Sequence, residues 1–99
     1  MQVFKTKWFA RFARQELISD ASLREAIARA ERGLIDADLG GGLIKQRIAR
    51  KGQGRSGGYR SVIAFRKGRR AVFIFGLTKS DKENFAQDEL ESAREIGRI

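Results

Sequence analysis

Residues 59–77 read YRSVIAFRKGRRAVFIFGL, and they are the part of the chain that says most about its fold. Two apolar runs flank Lys67-Gly68-Arg69, three residues suited to a tight turn between antiparallel strands. The stretch therefore predicts a hairpin with strands at Tyr59–Arg66 and Arg70–Leu77. The second strand is apolar on both faces through residues 72–75, which is typical of a strand inside a sheet.

A third strand is predicted just before this hairpin, at Leu43–Arg50. Its apolar residues Ile44 and Ile48 fall on one face, and the basic residues Lys45 and Arg47 fall on the other. Between the two regions, residues 52–58 contain four glycines, which predicts a flexible loop.

The N-terminal third predicts a short strand and two helices. The strand is Gln2–Lys5, and the first helix is Lys7–Ile18, where apolar residues follow helical spacing. The second helix is predicted to begin at a capping box, Ser22–Glu25, and to end at Gly33. The triple glycine at residues 40–42 then breaks the helical pattern.

A last helix is predicted at Gln87–Arg98, preceded by a capping-box sequence at Ser80–Glu83 and buried through Leu90, Ala93 and Ile96. The element order is β-α-α-β-β-β-α. This order predicts one α+β domain over residues 1–99, with an antiparallel sheet, an N-terminal helical hairpin and a C-terminal helix.

Positive charge is concentrated in the predicted strands. The whole chain has a formal net charge of +9, and the stretch from Leu39 to Ser80 has no acidic residue. The basic residues of this stretch are Lys45, Arg47, Arg50, Lys51, Arg55, Arg60, Arg66, Lys67, Arg69, Arg70 and Lys79. An ordinary solvated surface mixes both signs, so this block favours a polyanionic partner such as nucleic acid over a merely soluble face.

Several classes of protein are excluded or disfavoured. The chain has no cysteine and no histidine, which excludes disulfides, thiolate metal sites and histidine-based catalysis. We expect no metal and no cofactor, because the acidic residues are poorly placed for a metal and the glycine-rich loop matches no phosphate-loop motif. No apolar run could span a membrane, so we expect a cytoplasmic protein without membrane contact.

Strand pairing would bring several cations to one sheet face. Lys45 and Arg47 share a face of their strand, Arg60 opens the next strand, and Lys79 follows the third. Arg55, in the glycine-rich loop, could reach a phosphate backbone. Tyr59 could stack on a base or transfer a proton, but it could equally be a packing residue at a strand start.

The chain resembles the RelE/HigB-type toxins of bacterial type II toxin–antitoxin modules. The resemblance covers nearly the whole chain and is most specific in LGGGLIKQRIAR (residues 39–50) and GQGRSGGYR (residues 52–60). The segments AFR (residues 64–66) and FGLTK (residues 75–79) complete it. It implies a RelE-like microbial RNase-type fold and metal-independent cleavage of mRNA, usually on the ribosome, by attack of the ribose 2′-OH on the adjacent phosphate.

The resemblance also implies residue roles and partners. Lys45 or Arg47 would activate or position the 2′-OH, Arg55 and Arg60 would hold the scissile phosphate, and Lys79 would assist the leaving group. It further implies inhibition by a cognate antitoxin, often a helix-turn-helix DNA-binding protein. The remaining implied positions are a proton acceptor at Asp81 and RNA contacts at Arg50, Lys51, Tyr59 and Arg66.

Two other readings of the same residues stay open. A ParE-like toxin would share the fold but inhibit gyrase without cleaving RNA, and the basic residues would then act only in docking. A non-catalytic RNA- or ribosome-binding module would use the same charge for affinity alone.

Overall fold

The computed structural model describes residues 1–50, 54–78 and 85–97, and it describes residues 54–57 by their backbone alone. Within these residues the chain forms five strands and three helices. They are β1 (Gln2–Lys5), α1 (Lys7–Gln15), α2 (Asp20–Glu31), β2 (Ala37–Gly40), β3 (Leu43–Arg50), β4 (Gly54–Arg66), β5 (Arg70–Thr78) and α3 (Gln87–Gly97).

The strands form one sheet in the order β1-β5-β4-β3-β2. Strands β2 to β5 pair as an antiparallel meander, whereas β1 pairs in parallel with β5 from Gln2↔Arg70 to Lys5↔Phe73. The α+β class is confirmed, but the sheet is mixed rather than antiparallel. The junction after β1 is held to β5 by the Thr6 hydroxyl, which donates to the Ile74 carbonyl at 2.8 Å.

Two strand boundaries differ from the sequence prediction. The four-residue β2 was not predicted, because its apolar content is low and it ends at a glycine. Strand β4 begins at Gly54 and pairs there with Arg50, so part of the predicted flexible loop is strand. The hydrogen-bond ladder from β3 outweighs the poor strand propensity of the glycines. The hairpin turn is confirmed, with Gly68 at φ 74°.

Two predicted helix ends were wrong. Helix α1 stops at Gln15 instead of Ile18, because Leu17 takes a left-handed conformation with φ 56° and is 89% exposed. Helix α2 begins before the predicted capping box. Ser19 is its N-cap, and the Ser19 hydroxyl accepts a hydrogen bond from the Ser22 N–H at 3.1 Å. The predicted stop at Gly33 is confirmed, since Gly33 follows the C-cap at φ 80°.

The C-terminal helix is largely as predicted. Ala93 is fully buried and Leu90 packs against the core, but Ile96 is 36% exposed, so its predicted burial was wrong. The predicted capping box at Ser80–Glu83 and the helix end at Arg98 lie outside the described residues.

Each face of the sheet is covered by different helices. On the α1–α2 face, Phe9, Phe12 and Ala26 pack over Ile48, Phe73 and their neighbours. On the opposite α3 face, Ala93 and Leu90 pack over residues that include Leu43, Val62, Ala64 and Ile74. The longest described helix has 12 residues, and no described helix combines the length and the apolar character that crossing a bilayer requires.

Candidate nucleic-acid interface

Two arginines oppose each other on neighbouring strands. The β3–β4 register pairs Arg47 with Arg60 and Lys45 with Val62. Residues paired in an antiparallel ladder project to the same side of the sheet. Because Val62 and Ala64 belong to the α3 face, Lys45, Arg47 and Arg60 lie on that face too. The structure thus brings together three of the residues that the sequence singled out.

The backbone of Arg47 shows how close this pair is. Its N–H donates to Oδ2 of Asp36 at 2.5 Å, and its carbonyl accepts from the Arg29 guanidinium. Both groups therefore point away from β4, so Arg47 and Arg60 form a non-hydrogen-bonded pair. In such pairs the two Cα atoms are about 4.5 Å apart and the side chains are at their closest.

Two like charges at this spacing destabilise a sheet unless an opposite charge lies between or beside them. The Asp36 carboxylate accepts the backbone N–H of Arg47, but neither of the ion pairs Lys5–Asp20 and Arg29–Glu25 involves the Arg47 or Arg60 side chain. Guanidinium groups are planar forks that match phosphate oxygens in pairs. The Arg47–Arg60 pair is therefore a site suited to one phosphate group.

A buried polar layer lies behind this pair, on the α1–α2 face. It consists of Arg29, Gln46 and Ser61, which are 4%, 0% and 0% exposed. The Gln46 amide donates to the carbonyls of Ala26 and Leu34 at 2.9 and 3.1 Å. The Ser61 hydroxyl donates to the Gln46 carbonyl at 2.7 Å. These bonds fix the backbone of β3 and β4 between Lys45 and Arg60.

This layer was not predicted from the sequence, although one signal for it was present. Gln46 alternates with Ile44 and Ile48, so a polar residue stands in a face that is otherwise apolar. A polar side chain at a buried position is almost always hydrogen-bonded. No comparable signal marked Arg29, whose contact with β3 depends on how α2 packs.

Replacing Gln46 by methionine tests the buried layer. The side chain keeps its approximate volume but loses both donors, so the buried bond to the Ala26 carbonyl and the part-buried bond to the Leu34 carbonyl are both lost. We expect a loss of about 1–3 kcal/mol in the free energy of unfolding. Urea denaturation measures it, with Gln15→Met outside the layer as control. Equal urea midpoints for the two variants would contradict the role given to Gln46.

Tyr59 lies on the α1–α2 face, away from the Arg47–Arg60 pair. It is 4% exposed, its hydroxyl donates to the Glu16 carbonyl at 3.2 Å, and its ring meets Phe12 edge-on at 5.7 Å. The Arg50 guanidinium lies 5.7 Å from the ring centre. This placement favours the packing interpretation of Tyr59 over base stacking, and it directs Arg50 toward the Tyr59 ring.

The environment of Tyr59 predicts a pH effect on stability. Burial raises the pKa of Tyr59, the Glu16 carboxylate raises it further, and Arg50 lowers it. The unfolded chain therefore releases this proton at a lower pH than the folded protein. Above the unfolded pKa of about 10, the unfolded state binds fewer protons, so stability falls as pH rises.

Tyr59→Phe removes this titration. We expect the stability advantage of the unsubstituted protein over Tyr59→Phe to shrink as pH increases from about 9 to about 11. Urea unfolding at several pH values measures the difference, and the lysines common to both proteins cancel. A difference that stays constant over this range would show that the Tyr59 pKa is not raised by folding.

The other sequence-predicted residues lie elsewhere or outside the described part. Arg66 is exposed and follows Arg60 by six residues on β4, which is roughly 20 Å along a strand. Lys51, Lys79 and Asp81 lie outside the described residues, as does the side chain of Arg55. Their roles stay predictions.

Gly58 allows β3 and β4 to approach closely beside Arg60. A Cβ atom at Gly58 would overlap the Ile48 carbonyl oxygen and would stand 3.2 Å from the Arg50 nitrogen. The β3–β4 register shifts at this point, between Ile48 and Arg50. Only glycine fits here, because the obstacle is backbone and cannot rotate away.

Fold and site together define a small basic α+β protein that presents two arginines on a rigid sheet. Neither arginine has an ion-pair partner among the described residues. Within residues 1–50, 54–78 and 85–97, no group of three or more acidic side chains is arranged to hold a metal ion. The family model described as "RelE toxin of RelE / RelB toxin-antitoxin system" matches residues 1–99. The chain belongs to this family of toxins, which pair with antitoxins. No curated protein gives a significant match.

Proposed function

We propose that this toxin is an endoribonuclease that cleaves mRNA on the ribosome and thereby inhibits translation in the cytoplasm. The main observation behind this proposal is that Arg47 and Arg60 are direct cross-strand partners on one face of the sheet, with no ion-pair partner among the described residues. The resemblance noted in the sequence and the family both support this assignment.

The pair suits the charge that develops during RNA cleavage. The ribose O2′ forms a bond to the adjacent phosphorus, the bond from phosphorus to O5′ breaks, the 2′-OH loses a proton and the O5′ gains one. The phosphorane between these steps carries more negative charge than the phosphate. Two guanidinium groups at the phosphate would stabilise that extra charge, and each such contact typically contributes about 10²–10³ in rate.

Proton transfer requires other groups, because arginine stays protonated at any working pH. The candidates from the sequence are Lys45, Lys79 and Asp81. Lys45 lies on the α3 face two residues from Arg47, whereas the other two remain sequence-based proposals. We do not assign this role to Tyr59, because it packs in the helical core on the opposite side of the sheet.

A site without a strong general acid or general base would favour ribosome-bound mRNA as its substrate. Holding the 2′-OH in line with the scissile bond supplies much of the barrier reduction without a strong base. A ribosome that fixes the mRNA would provide this alignment, and the protein would add the electrostatic stabilisation.

The cognate antitoxin, which we propose is a helix-turn-helix DNA-binding protein, would silence this site. An acidic segment of the antitoxin placed over Arg47 and Arg60 would supply an opposite charge to both guanidinium groups. Complementary charge also accelerates encounter between the two proteins.

Induction of the toxin in bacteria tests the proposal. We expect growth arrest together with new mRNA 5′ ends inside translated codons, bearing 5′-hydroxyl groups. Arg60→Ala should remove both effects, whereas Arg24→Ala, an exposed α2 arginine of equal charge, should retain them.

Arrest with intact mRNA would contradict RNA cleavage and support a ParE-like mode of action. New 5′ ends that persist equally in Arg60→Ala would contradict the role of the pair. Ends that appear equally in untranslated RNA would contradict the ribosome requirement.

A further inference from the structure

The turn between β4 and β5 carries a second group of cations, which we call the turn cluster: Arg66, Lys67, Arg69 and Arg70. Arg66 and Arg70 are direct cross-strand partners, like Arg47 and Arg60. The turn is closed by a hydrogen bond from the Arg69 N–H to the Arg66 carbonyl at 2.9 Å. The four cations are therefore held close together on a rigid hairpin end.

The turn cluster has no ion-pair partner in the part of the chain that the structure describes. The nearby Glu31 carboxylate instead accepts the Gly68 N–H, at 3.2 and 3.3 Å. A cleft of ≈ 500 Å³ adjoins the cluster and is lined by Gln2, Arg66, Arg69 and Arg70. Among the described residues, neither a carboxylate nor an aromatic ring lines this cleft.

Helix α3 separates the turn cluster from the Arg47–Arg60 pair. Arg66 and Arg70 lie on the α3 face like Arg47 and Arg60, but Val62 and Ala64, which stand between Arg60 and Arg66 on β4, pack beneath α3. At the end of this helix, a Cβ at Gly97 would stand 3.1 Å from the Ala64 Cβ. An extended strand bound at the Arg47–Arg60 pair would have to cross α3 to reach the cluster, roughly 20 Å away.

We propose that the turn cluster is a second RNA site, which binds phosphates of a base-paired segment while the Arg47–Arg60 pair takes the strand to be cleaved. Single-strand sites add aromatic rings on which bases stack, and the described lining of the cleft has none. Double-stranded RNA is recognised through its shape and its phosphates, which a guanidinium-lined cleft can contact. The assignment to RNA rests on the proposed function, but binding at the cluster does not require cleavage.

The experiment measures binding of the full-length chain to a fluorescent RNA duplex of about 16 base pairs, without single-stranded ends. Anisotropy titrations over a series of salt concentrations give the slope of log K against log salt. Arg66→Gln/Arg70→Gln should weaken binding and reduce the slope by about 2, one for each lost phosphate contact. The matched control Arg24→Gln/Arg32→Gln removes the same charge from exposed positions of α2 and its C-cap, and its slope should stay at that of the unsubstituted protein.

Equal slopes for the two double variants would overturn the proposal. Tighter binding to a DNA duplex of the same sequence than to the RNA duplex would overturn the assignment to RNA. A third variant, Arg47→Gln/Arg60→Gln, separates the two sites: it should lose RNA cleavage and keep the duplex slope. If the unsubstituted protein cleaves no RNA yet shows the cluster-dependent slope, the proposed function fails and the second site stands.

Discussion

Replacing Arg60 by glutamine is expected to slow RNA cleavage by about 10²–10³-fold while raising the stability of the protein slightly. The rate falls because one of the two guanidinium groups opposite the developing phosphorane charge is lost. The stability rises because Arg47 no longer faces a like charge across the ladder, a repulsion of roughly a few tenths of a kcal/mol in such pairs.

The opposite signs of these two effects distinguish a functional arginine from a structural one. Purified toxin and a ribosome-bound mRNA give the cleavage rate, and thermal unfolding gives the stability. Arg24→Gln serves as the control for charge loss, and it should change neither quantity measurably. A stability loss in Arg60→Gln that accounts for the lost activity would show that Arg60 holds the fold together.

The second large effect is expected from Gly58→Ala. The new methyl group would overlap the Ile48 carbonyl oxygen, so β3 and β4 would have to separate beside Arg60. We expect a loss of roughly 3–5 kcal/mol in the free energy of unfolding, at the upper end for a single substitution. Because small domains have about 5–15 kcal/mol in total, the variant should also lose toxicity.

Gly42→Ala is the matched comparison. Gly42 has φ 84°, and the space that a Cβ atom would occupy there has nothing within 4 Å, so its substitution adds conformational strain without a collision. That strain costs about 1–2 kcal/mol. Urea unfolding of both variants measures the difference. Similar losses would show that the approach of β3 and β4 at Gly58 can relax, contrary to our expectation.

Local patterns predicted the centre of the fold. The hairpin of β4 and β5 depends on alternation and on a glycine turn, both of which are readable within a few residues. The pairing of β3 with β4 follows from the same alternation, and it places Lys45 and Arg47 beside Arg60. The convergence of these side chains was therefore predictable, because strand pairing alone decides it.

Helix boundaries at which two neighbouring residues could both act as the N-cap were predicted less well. Ser19 and Ser22 are both suitable N-caps, and the sequence favoured Ser22 because Glu25 follows it. The structure uses Ser19, since Leu17 turns the chain early and lets α2 begin at Asp20. The choice of N-cap depends on how α1 and α2 pack against each other. That packing cannot be predicted from a few neighbouring residues.

Long-range pairings were beyond the reach of local patterns. Strand β1 was predicted at the right residues, but its parallel pairing with β5 joins residues far apart in the sequence, from Gln2 to Arg70. The support that Arg29 gives to the Arg47 carbonyl likewise needs α2 to lie across β3. Such contacts depend on tertiary packing. Local sequence patterns therefore predicted the strand and the basic residues of the site, but not which distant residues contact each other.

The parallel pairing of β1 also imposes an order of events during synthesis. The N-terminal strand is synthesised first. Gln2 can pair with Arg70, and Thr6 can donate to Ile74, only after β5 has been synthesised. Chains emerge from the N-terminus onward, and contacts between distant residues form late. The apolar side chains of α1 thus have no sheet to cover until the β4–β5 hairpin exists. A chain whose synthesis has not yet reached β5 would therefore lack the covered sheet on which Arg47 and Arg60 stand.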